Sequence, residues 1–131
     1  MIVTTLKYPL YTDESSDRNT PTFVLAADLI VNVRDWAYPY VVRIPAGFAT
    51  DFGSVPKSFR NLVTSVSVYD SAYLLHDYQY STTYAGPTIS FTQSNKMLRA
   101  NLRALGMGKL DAFLVFWSIQ LFGKKRWRVS V

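Results

Sequence analysis

At 131 residues, 49% hydrophobic and 15% aromatic with only 18% charged residues, the chain is long enough for one domain with its own core and too short for two. It has no cysteine, which excludes disulfides, thiolate metal sites and cysteine nucleophiles; with a single histidine, a metal site would rest on carboxylates and carbonyls, suiting calcium or magnesium better than zinc. The net charge of +5 is uneven: residues 1–90 hold six basic and eight acidic side chains, residues 91–131 eight basic ones against Asp111 alone. The basic third would meet any nucleic acid, anionic lipid or acidic protein, or it is simply a solvated helix face and a charged tail.

The first half reads as β-structure. IVTTLKY, TFVLAADLIVNV and YPYVVRIP are rich in Val, Ile, Thr and aromatics, and DESSDRNTP and RDWAYP between them carry turn chemistry. The N-terminal MIVTTLKYPLYTDE lacks the charged start and apolar run of a signal peptide, so the chain is expected in the cytoplasm when made.

From residue 54 the pattern turns helical. Ser54 and Pro56 suit the start of a short helix to about Leu62, and Ser67 with Asp70 resembles a capping box opening the helix that carries His76. Gly86 and Pro87 break it; Ser90 with Gln93 forms a better capping box for a helix through about Leu105 that stops at Gly106. A last helix is expected from Lys109 to Phe122 with Gly123 in the stop position. The tail after Lys125 alternates with the period of a strand: Arg126, Arg128 and Ser130 on one side, Trp127, Val129 and Val131 on the other. The expected fold is α+β, an N-terminal antiparallel sheet packed against three or four C-terminal helices. The most apolar run, AFLVFWSIQLF, has 11 residues, short of the roughly 20 that span a bilayer.

Some polar residues fall on apolar faces. Leu98, Leu102 and Leu105 form an inward stripe beside the basic stripe Lys96, Arg99 and Arg103, and one step back along the leucines lies Asn95. A buried amide needs partners, because leaving it unsatisfied costs roughly 1–3 kcal/mol. On the preceding helix Asp70, Tyr73, Asp77 and Tyr80 share a face with His76 beside them. The loop GFATDFGSVP adds Thr50, Asp51 and Ser54 on a tight backbone that can support a site, although an Asx turn and a helix cap account for Ser54 and partly for Asp51.

GFATDFGSVP, then AYLLHDYQY about twenty residues on, then a helix and LFGKKRW, resembles the domain-of-unknown-function family 1353 over roughly residues 40–127. That family, common in tailed phages and prophages, has the pattern F-x-T-D-x-x-S-[IV]-P followed by H-D-x-x-Y. The resemblance implies a phage protein encoded among virion, tail or lysis genes. Thr50, Asp51, Ser54 and Pro56 match the first motif, and His76, Asp77 and Tyr80 the second. Where family members carry an arginine and then an aspartate, this chain has Thr92, Gln93 and Asn95, and a neutral amide cannot stabilise an imidazolium as a carboxylate does. The His76–Asp77 helix also resembles, locally, that of secreted phospholipases of the A-two type, whose histidine activates water beside a calcium-binding aspartate.

Two functions follow as expectations. In the first, the chain is a virion-associated or tail or neck assembly protein whose His76–Asp77 helix carries a structural polar network; it binds other virion proteins or itself through Phe116, Ile119, Phe122, Arg126, Trp127 and Arg128 and enters the virion, with no cofactor. In the second it is a small hydrolase of lipid, peptidoglycan or nucleotide, with His76 as general base, Asp51 and Asp77 holding calcium or magnesium or orienting water, and Tyr73, Tyr80 and Asn95 fixing the histidine. Nucleic-acid binding ranks last, since only Trp127 interleaves with the basic tail.

Overall fold

Alternation of apolar and polar residues sets the first part of the fold. In a computed structural model that describes residues 2–3, 10–12, 23–33, 40–50 and 66–128, the chain falls into two compact units, Ile2–Asp51 and Phe52–Val131. The first holds β1 (Ile2–Val3), β2 (Leu10–Thr12), β3 (Phe23–Leu25), β4 (Leu29–Val33), β5 (Tyr40–Ile44) and β6 (Ala49–Thr50). They pair antiparallel into two three-stranded sheets, ordered β1-β4-β5 and β2-β3-β6. Register between β4 and β5 sets Leu29 opposite Ile44 and Val31 opposite Val42, and these four are buried while Ile30, Val41 and Arg43 face out. That is the two-residue period of a half-buried strand.

One expected strand is two. TFVLAADLIVNV bends at residues 26–28, so that β3 and β4 join different sheets. The bend is held from across the chain: the Asp28 carboxylate accepts the Ala46 N–H at 2.8 Å and Arg43 Nε–H at 2.6 Å, while Leu25 exchanges backbone bonds with Phe48 (3.0 Å) and Gly47 (2.6 Å). These bonds also hold the Asp28 carboxyl below its ordinary value, the Ala46 N–H contributing most. The facing turn needs Gly47, whose φ of 87° lies in the left-handed region that a side chain resists.

The second unit holds α1 (Val66–Tyr80), α2 (Phe91–Ala104), α3 (Lys109–Phe122) and one 3₁₀ turn (Lys124–Arg126). The fold is α+β as expected. Ser67 lies inside α1, one residue past its start, and so is not its N-cap. At α2 both halves of the Ser90–Gln93 capping box form, the Gln93 N–H donating to Ser90 Oγ and the Ser90 N–H to Gln93 Oε1. Gly106 (φ 104°) ends that helix, the Met107 N–H donating to Leu102 O. α2 packs on both α1 and α3. Leu74, Leu75, Leu98, Leu102, Val115 and Ile119 form the apolar interior. No helix among the described residues is long and apolar enough to cross a membrane.

The tail departs from its expected strand. Lys124–Arg126 is a 3₁₀ turn, and residues 129–131 lie outside the described residues. The turn brings Arg128 back to the C-terminal end of α1, where its N–H donates to Tyr80 O at 2.8 Å and its Nε–H to Gln79 O at 3.1 Å. A cation on terminal helix carbonyls is favourable by charge and hydrogen bonding. The guanidinium also lies over the Tyr84 and Trp127 rings, at 5.0 and 4.6 Å. These contacts hold a non-glycine residue at φ 49°. Arg128→Ala is therefore expected to lower stability by about 1–2 kcal/mol, read as a shifted urea midpoint; an unchanged midpoint would show that the clamp contributes nothing.

Candidate functional site

α1 is buried from Ser71 to His76 and again from Tyr78 to Tyr80, so its polar residues must be satisfied inside the unit. His76 is 1% exposed and Asn95 0%. His76 Nε2 lies 2.9 Å from Asn95 Oδ1, and because a carbonyl oxygen only accepts, the imidazole donates there. Asn95 Nδ2 donates to Gln120 Oε1 at 3.0 Å, and Gln120 Nε2 to Thr92 Oγ1 at 3.0 Å. The result is a one-way run of donors from α1 through α2 to α3 and back to the first turn of α2. A second stitch joins α1 to α2, with Ser94 Oγ donating to Gln79 Oε1 at 2.6 Å and Gln79 Nε2 resting on Met97 Sδ at 3.3 Å.

Burial governs the protonation of this region. Loss of hydration pushes His76 down to about 4, overriding the bond to Asn95, which acts the other way. At neutral pH the imidazole is uncharged. Burial likewise pushes the Tyr73 phenol up, with Tyr69 adding to it, so Tyr73 keeps its proton. The Tyr80 ring packs against His76 at 4.6 Å, Trp127 at 4.9 Å and Phe91 at 5.9 Å. A Cβ on Gly123 would come within 2.7 Å of both Tyr80 Oη and Ile119 O, which is why the chain needs glycine as it leaves α3.

The sequence model of a family described as Protein of unknown function (DUF1353) matches residues 23–119. The chain belongs to that family. The matched span runs from β3 through most of α3 and includes His76, Thr92 and Asn95, stopping one residue short of Gln120. No curated protein and no solved structure matches the chain.

Within this DUF1353 chain the structure brings His76, Asn95 and Tyr80 together. Asp77 is half-buried on α1. Thr50 ends β6, while Asp51 and Ser54, and with them the short helix expected to about Leu62, lie outside the described residues. Among the described residues no three His, Asp or Glu side chains gather as metal ligands. The expected partner face of α3 is largely turned inward: Phe116 and Ile119 are buried, whereas Phe122 is exposed and Trp127 and Arg128 are half-buried against the end of α1. The apolar side chains left outside are instead Leu110, Phe113, Leu114, Trp117 and Leu121, from 36% exposed at Leu114 to 69% at Leu110. Sequence reading missed Gln79, Ser94 and Gln120. The available signal was Gln120 itself, a polar residue inside an 11-residue apolar run.

Proposed function

We propose that this protein is an assembly component of a phage particle, a tail or neck protein whose α3 docks on another virion protein or on a second copy. One observation carries the reading: α3 leaves five large apolar side chains uncovered along one side. Such a continuous patch marks an interaction surface, because isolated soluble domains rarely leave one open. The phage setting rests on the resemblance in the two sequence motifs. The state of His76 supports architecture over catalysis: it is sealed, uncharged, and its Nε2 proton is committed to a neutral amide. A general base needs its lone pair within reach of a substrate or water.

The variant Leu110→Glu/Leu114→Glu/Leu121→Glu changes only exposed positions, so the purified chain should melt as the native one does. A phage carrying it should yield particles that lack the chain, with infectious titre down by at least about tenfold, the effect of losing about 1.4 kcal/mol of docking energy. Incorporation at the native level would overturn the reading. So would a hydrolytic activity of the purified chain that disappears in His76→Ala.

A further inference from the structure

Between α2 and α3 runs a groove of about 610 Å³, with Thr92, Lys96, Arg99 and Arg103 on the α2 side and Phe116 and Trp117 among its α3 wall. A smaller hollow of about 340 Å³, lined by Arg99, Lys109, Leu110 and Phe113, adjoins it at Arg99. The three α2 cations fall at spacings of three and four, so they form one rim about two turns long. Among the described residues none of them has a carboxylate partner. Two are already placed: the Arg99 guanidinium lies 5.7 Å from both the Phe113 and Phe116 ring centres, and Arg103 Nη1 donates to Met107 O at 2.7 Å. Charges held in position in this way lose little side-chain entropy on meeting an anion.

Resting on the assembly reading above, we infer that this groove is the seat of an acidic amphipathic segment of the partner protein, its carboxylates on Lys96, Arg99 and Arg103 and its apolar side chains against Trp117. Charge complementarity decides the sign of the occupant. The wall opposite the cations decides its class, because α3 offers the Phe116 and Trp117 rings and Gln120 there, Leu110 and Phe113 in the adjoining hollow, and no cation between Lys109 and its end. A duplex needs cations along both of its backbones and gains little from burying Leu110 and Phe113, whereas a protein segment can meet the cations of α2 and the apolar side chains of α3 together. Trp117 belongs to the groove and to the exposed face of α3, so one occupant lying across the groove would continue onto that face. At the groove's end Thr92 Oγ1 accepts from Gln120 and keeps its own proton to donate to a carboxylate.

The test uses the full chain and a fluorescent amphipathic helical peptide with glutamates along one face and leucine and phenylalanine along the other, with a short DNA duplex in parallel. The peptide should bind saturably, weaken as salt rises, and bind at least about tenfold less tightly to Lys96→Glu/Arg99→Glu and to Trp117→Ser. Should the double variant fold poorly, the exposed Lys96→Glu alone carries the charge test. No saturable peptide binding, binding unchanged by charge reversal, or tighter binding of the duplex overturns the inference. The assembly reading fails separately. A particle that excludes the Leu110, Leu114 and Leu121 variant but takes up Lys96→Glu/Arg99→Glu normally keeps the assembly role and removes the acidic partner.

Discussion

Asn95→Leu is expected to destabilise the helical unit by about 2–3 kcal/mol, although leucine fills nearly the same volume and belongs to the stripe of Leu98 and Leu102. The substitution removes the acceptor of the His76 Nε2 proton and the donor to Gln120 Oε1 together. Each polar group orphaned in the interior costs roughly 1–3 kcal/mol, and the extra apolar burial offsets only part of the sum. For a unit of this size the melting temperature should fall by about 10 °C or more. His76→Leu/Asn95→Leu, which removes both partners of the first bond, should be less destabilised than the two single changes summed. Simple additivity would show that the two side chains are not coupled and that the network is not what joins α1 to α2.

Acidification should weaken the fold through the same histidine. The folded-state value of about 4 lies below the ordinary 6.5, so above pH 6.5 the imidazole is neutral in both states and contributes no pH dependence. Between 6.5 and 4 the unfolded chain takes up a proton that the folded chain refuses. Stability then falls by about 1.4 kcal/mol per pH unit, about 3 kcal/mol in all, and the loss levels off below pH 4, where the folded state is protonated too. Urea midpoints measured across this window should drop more steeply for the native chain than for His76→Gln, which cannot take up the proton. Equal slopes would place the pH dependence elsewhere, in the carboxylates. Asn95→Asp supplies the missing charge partner for the imidazolium and should flatten the fall.

Much of the fold was legible from local chemistry. The two-residue alternation in LIVNV and YVVRI survives as the buried Leu29, Val31, Val42 and Ile44. The Ser90–Gln93 box, Gly106 and Gly123 bound α2 and α3 where their capping roles place them. Backbone groups at a helix end must find partners within a few residues, so these signals are short-range and can be read without knowing what the helix packs on. Asn95 was legible as an inward-facing amide for a related reason, since helical periodicity says which face a residue shares.

What periodicity leaves open is which surface covers a face. α3 is apolar nearly all round, and only packing on α2 selects Val115, Phe116 and Ile119 as its buried side, leaving Leu110, Trp117 and Leu121 outside. The bend at residues 26–28 depends on Asp28 meeting Ala46, eighteen residues away. The tail has the alternation of a strand, yet no local signal reports that Arg128 finds better partners in the carbonyls of Gln79 and Tyr80. The sequence by itself determined the class of fold, the ends of α2 and α3, and Asn95 as a polar residue that faces inward. Only the tertiary structure decided that the expected pairing of His76 with Asn95 runs on through Gln120 to Thr92 and is sealed from water, because those bonds join helices whose contact no local pattern encodes.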